Sequence, residues 1–114
     1  MRNLAMLTVL SFVLSTAPAF AETMDSMYGN TVTVTQPGGI VDRYYFEADG
    51  TFTERSHDGA TYTGHWVRRA GDVCLTVDQR EDCAPVPTDK AVGDSWMMET
   101  GGGSIAVAIV AGRS

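Results

Sequence analysis

Only two of the 114 residues are cysteine, Cys74 and Cys83. That scarcity argues against a thiolate-rich metal fold, and neither a paired-Cys spacing nor a His-x-His or His-x-x-x-His pattern occurs. Basic side chains are also few, 8 against 14 acids. They form no run, so the chain lacks the positive stripe that nucleic acid or an anionic membrane surface requires. No Gly-x-Ser-x-Gly marks a nucleophile elbow, and Gly101-Gly102-Gly103 lacks the lysine and following helix of a phosphate loop. Beyond residue 22 there is no helix-length apolar periodicity, no low-complexity segment and no repeat longer than an echoed Asp-Gly.

What is present begins with an apolar run from Leu4 to Leu14, after Arg2 and ahead of Pro18 and Ala19-Phe20-Ala21. A small-x-small site there predicts a secretory signal peptide over 1–21, cut after Ala21. No basic stop-transfer cluster follows, so no membrane anchor is expected after cleavage, and export to the periplasm or beyond is implied. Since Arg2 leaves with the signal, the remaining chain carries 7 basic and 14 acidic groups, a formal charge of 7 − 14 = −7. Residues 22–28 read as a loose polar tail, and residues 29–114 as one small domain.

That domain alternates in short segments. Thr31-Val32-Thr33-Val34-Thr35 has a strict period of two, and turn residues Gln36-Pro37-Gly38-Gly39 follow. Residues 40–47 put Tyr44 and Phe46 on one face, and Asp49-Gly50 turns them back; residues 51–56 carry Phe52 inward to a second turn at Asp58-Gly59. Tyr62 and Trp66 share a face within 61–69, with Gly64 between them where a bulge or close ring packing fits. Further strands are read at 73–77, 83–87, 93–100 and 105–111. The expected architecture is an all-β antiparallel meander of about eight strands, an up-and-down barrel or strongly coiled sheet.

The string YYFEADGTF, the Gly-x-Trp of GHW and the cysteine of GDVC resemble small exported bacterial β-barrel domains, loosely lipocalin-like and of unassigned function. The resemblance spans roughly residues 44–83 and implies a small barrel rather than an activity.

Two cysteines in an exported chain are expected to oxidise. If Cys74 faces Cys83, the hairpin centre lies between Asp78 and Gln79, with Val73 opposite Ala84 and Leu75 opposite Asp82. The bond then lies on the outer face, since Val73, Leu75 and Val77 take the inner one. A cross-strand disulfide favours a non-hydrogen-bonded pair, whose backbone polar groups point away from the hairpin partner. Pro85 and Pro87 share that parity and lack the N–H, so the sheet is expected to open between 83–87 and the strand that follows.

Chemistry has few candidates. His57, His65, Asp58 and Cys74 are the residues a metal would recruit, but their spacing predicts no metal site, no cofactor and no catalytic set. Tyr44, Phe46, Phe52, Tyr62, Trp66, Trp96 and Met98 are the candidate interior residues, either packing a small barrel or lining a cavity for an apolar or aromatic ligand. The expected function is therefore a non-catalytic exported binding protein, for a small molecule or an envelope component. The alternative is an interaction or inhibitor-type module that engages a periplasmic protein through the loop at 55–60 or the acidic tip at 78–82.

Overall fold

The computed structural model describes residues 22–114; the signal segment read over 1–21 lies outside them. A short helix, α1 (Thr23–Met27), precedes eight strands: β1 (Thr31–Thr35), β2 (Val41–Phe46), β3 (Thr51–Arg55), β4 (Thr61–Arg69), β5 (Asp72–Val77), β6 (Arg80–Pro85), β7 (Ser95–Thr100) and β8 (Gly103–Val110). All pairings are antiparallel, in the order β6-β5-β4-β3-β2-β1-β8-β7. The sheet coils into a nearly closed barrel whose two edge strands, β6 and β7, remain unpaired with each other.

Turn chemistry sets much of this meander. In the turns at 36–40, 47–51 and 56–60, the residue opening the turn donates its N–H to the carbonyl four residues on, and its own carbonyl accepts from the glycine three residues on. Gly39, Gly50 and Gly59 have φ of 90°, 92° and 91°, the left-handed conformation of the bulge residue after a type I turn at 47–51 and 56–60; at 36–40 Gly38 is left-handed too (94°), as a type II turn requires. Asp49 and Asp58 cap their turns by accepting from the N–H groups of Thr51 (2.9 Å) and Ala60 (3.0 Å). The hairpin between β5 and β6 is different: Asp78 and Gln79 both have positive φ, 49° and 67°, as a two-residue type I′ turn demands.

The β5–β6 register is Val73↔Ala84, Cys74↔Cys83 and Leu75↔Asp82, and the disulfide joins a pair whose Cα atoms are only 4.0 Å apart. Val86 donates its N–H to Gly71 (2.9 Å), which fixes the parity of the hairpin. Cys83 and Pro85 therefore face away from β5, and the missing proline N–H falls on the free edge. The opening of the sheet beyond β6 follows from that register.

The N-terminal tail departs from expectation. Instead of a loose segment, residues 23–27 form α1 and bury Met24 and Met27. Five residues are too few for a self-supporting helix. Tertiary contacts hold it: Thr23, fully buried, donates its hydroxyl to Pro87 O (2.5 Å) and accepts from Lys90 N (3.0 Å), while Glu22 pairs with Arg68 at 3.0 Å. Helix and the 86–94 connection together cover one end of the barrel. The core gathers there, with Met24, Met27, Val32, Phe46, Phe52, Val73, Val107 and Ile109 buried.

Candidate functional site

The inner face of the barrel follows strand alternation. Val32 and Val34 from β1, Tyr44 and Phe46 from β2, Val73 and Leu75 from β5, and Trp96 and Met98 from β7 surround a cavity of about 580 Å³. Met24 and Met27 of α1 also line it, towards the covered end. Cys83 and Glu99 belong to the lining although alternation turns their side chains outward. The cavity therefore reaches the flanks of both edge strands, and the β6/β7 seam is its lateral opening.

Towards the opposite end, where the turns at 36–40, 56–60 and 78–79 lie, a second space of about 540 Å³ shares Tyr44, Leu75 and Asp82 with the first. Its walls are more polar, adding Glu54, Tyr62 and Arg80. The inner surface thus runs from apolar at α1 to charged at the open mouth.

Glu54, Asp78 and Asp82 provide the negative charge of that lining, and Asp42 lies behind it, held by the 56–60 turn. Asp42 is buried, and burial alone would raise its pKa; hydrogen bonds from the backbone N–H of His57 (2.9 Å), the His57 ring (3.2 Å) and the Gln36 amide (3.4 Å) bring it below the ordinary value instead. Glu54 moves the other way, raised by burial and by the nearby charge of Asp42, with a hydrogen bond from Tyr44 opposing the shift. The Tyr44 phenol is pushed up by burial and then by the charges of Glu54, Asp42 and Asp82. Tyr44 and Asp82 line both spaces and Glu54 the second, so a phenol and two carboxylates stand at the neck of the cavity.

The expected interior residues divide. Tyr44, Phe46, Trp96 and Met98 line the larger cavity. Phe52 and Tyr62 join Tyr44 in the smaller one, and Tyr62 is 46% exposed, so it belongs to the mouth rather than the core. Trp66 lines neither: its indole N–H donates to Glu47 O (2.9 Å), and its ring packs against Tyr28 and, edge-on, Phe46. It braces the covered end. Of the metal candidates, His57 serves Asp42, His65 lies exposed on β4, and Asp58 caps a turn. Among the described residues, three potential ligands converge only at Cys74, Glu81 and Cys83, where the disulfide occupies both sulfurs.

Asp42 and Glu54 were not among the expected site residues, and Asp82 was expected only as part of the acidic tip at 78–82. Parity carried the signal: Asp42 alternates with Tyr44 and Phe46, Glu54 with Phe52, and Asp82 sits opposite Leu75. The loops of the interaction-module reading are tight turns at the same mouth, that at 56–60 held by Asp42.

The chain matches no protein-family model, no curated protein and no solved structure. The barrel rests on its own strand order, with no lipocalin or other family assigned. No helix among the described residues is long and apolar enough to cross a membrane.

Proposed function

We infer that this chain is an exported, non-catalytic binding protein whose barrel interior takes a small apolar or aromatic ligand. One observation carries the reading: an eight-stranded barrel with an unfilled, largely apolar interior of about 580 Å³ that opens at the seam between β6 and β7. Spaces of roughly 300–1,000 Å³ lined by apolar and aromatic groups are the usual dimensions of small-molecule sites. Side chains of small barrels ordinarily fill the interior, so an unfilled one forgoes packing energy that a ligand recovers. The formed disulfide and the signal-like N-terminus support an oxidising compartment such as the periplasm.

The test is tryptophan emission, because Trp96 lines the cavity and Trp66 does not. Titration with a neutral aromatic probe such as N-phenyl-1-naphthylamine is expected to give a saturable shift that persists in Trp66→Phe. Absence of any shift across a panel of neutral aromatic and aliphatic probes overturns the reading.

A further inference from the structure

Across three neighbouring strands the register places Tyr44 beside Glu54 and Glu54 beside Tyr62. All three side chains line the same space at the mouth, so a carboxylate stands between two phenol rings on the inner wall of the barrel. Asp82 faces this space from β6 and also lines the apolar cavity below. The only inward-facing base there is Arg80, which makes no ion pair within 4.0 Å among the described residues. Arg68, Arg69 and Arg113 are engaged elsewhere, with Glu22, Glu81 and Glu47. Against the single positive charge of Arg80 the mouth holds Glu54, Asp78 and Asp82, an excess of 3 − 1 = 2 negative charges, directly above an apolar chamber.

We propose that the ligand is a cationic amphiphile, its apolar body in the chamber between α1 and Trp96 and its amine or quaternary ammonium head between Tyr44, Glu54 and Tyr62, facing Asp82. The proposal rests on the binding reading above and specifies its ligand class. Two aromatic faces and a carboxylate suit a cation in complementary ways: the ring quadrupoles attract it without demanding hydrogen bonds, and the carboxylate supplies the counter-charge. An anionic amphiphile of the same length meets Glu54, Asp78 and Asp82 at the mouth, which disfavours it. A neutral one gains only the apolar contacts.

The experiment compares three ten-carbon probes below their micellar concentrations: decyltrimethylammonium, decanol and decanoate. Binding is followed by tryptophan emission and by calorimetry at pH 7.5 in low salt. Decyltrimethylammonium is expected to bind about ten-fold more tightly than decanol, with decanoate weakest. Glu54→Gln is expected to remove about five-fold or more of the cation's affinity and to leave decanol within about two-fold. Tyr62→Leu is expected to weaken the cation selectively, while Tyr62→Phe retains its affinity because the ring remains. Tyr62 is exposed enough for both variants to fold even if Glu54→Gln does not. Equal affinities for decyltrimethylammonium and decanol, or a preference for decanoate, overturn the cationic head group and leave the apolar chamber standing. Failure of all three probes to bind overturns both readings. Cation affinity unchanged in both Glu54→Gln and Tyr62→Leu refutes the site assignment.

Discussion

Gly64 shows how one residue sets the spacing of a barrel wall. A Cβ there would run into the Thr76 carbonyl oxygen and stand 3.0 Å from both Phe52 Cε1 and Val77 Cγ2. Neither the backbone oxygen nor a ring buried in the core can give way cheaply. Gly64→Ala is expected to destabilise by about 3 kcal/mol, read as a lower denaturant midpoint at unchanged slope. Asp42 anchors by accepting rather than by small size, holding the 56–60 turn onto β2. Replacing it with alanine removes the acceptor for His57 N–H and is expected to cost about 2 kcal/mol at neutral pH. Because its folded-state pKa is below the ordinary 3.8, its contribution is complete above the unfolded value and is lost as pH falls below 3.8 towards the folded one. Acid unfolding of Asp42→Ala should accordingly be less steep through that window than that of the parent; identical pH profiles would show that Asp42 adds nothing.

Among the elements, the β5–β6 hairpin was the most legible from sequence. Two cysteines nine apart fixed its centre at Asp78-Gln79, and the observed register agrees at Val73, Cys74 and Leu75. Reduction of the bond, or Cys74→Ala with Cys83→Ala, is expected to cost a little under 3 kcal/mol, roughly what closing a ten-residue loop contributes through the unfolded chain. The turn keeps two non-glycine residues at positive φ without that constraint, so fraying should begin there; thermal melts with and without reductant measure the loss. The helix α1 was not legible. Thr23-Met24-Asp25-Ser26-Met27 is too short to display a helical period, and its burial depends on Pro87 and Lys90, more than sixty residues away. The three glycine-bulge turns were visible as Gly-Gly and Asp-Gly, because their signal resides in consecutive residues.

At the scale of the molecule, the open seam is the defining feature, and backbone amides report on it. Alternation from the Val86-to-Gly71 and Ile109-to-Asp94 hydrogen bonds leaves the N–H groups of Glu81, Cys83, Met97 and Glu99 on free edges. These amides are expected to exchange with solvent far faster than those of β1 and β2, which are paired on both sides; protection of Cys83 and Met97 equal to that of Val32 would mean that the barrel closes in solution. Ligand in the chamber is expected to slow exchange along β6 and β7, since both strands line it.

By itself the sequence determined the eight strands, their faces, the hairpin register and the place where the sheet stops. All of these follow from local rules: period-two alternation, turn residues, and two prolines whose parity is set by a disulfide. Only the tertiary structure decided that the interior stays unfilled, that Met24 and Met27 close one end, and that Asp82 of β6 faces the same space as Glu54 of β3. Whether side chains fill a barrel depends on the summed volume from all its walls, and whether carboxylates converge depends on cross-strand register. Both are sums over residues far apart in the chain, and no local pattern contains them.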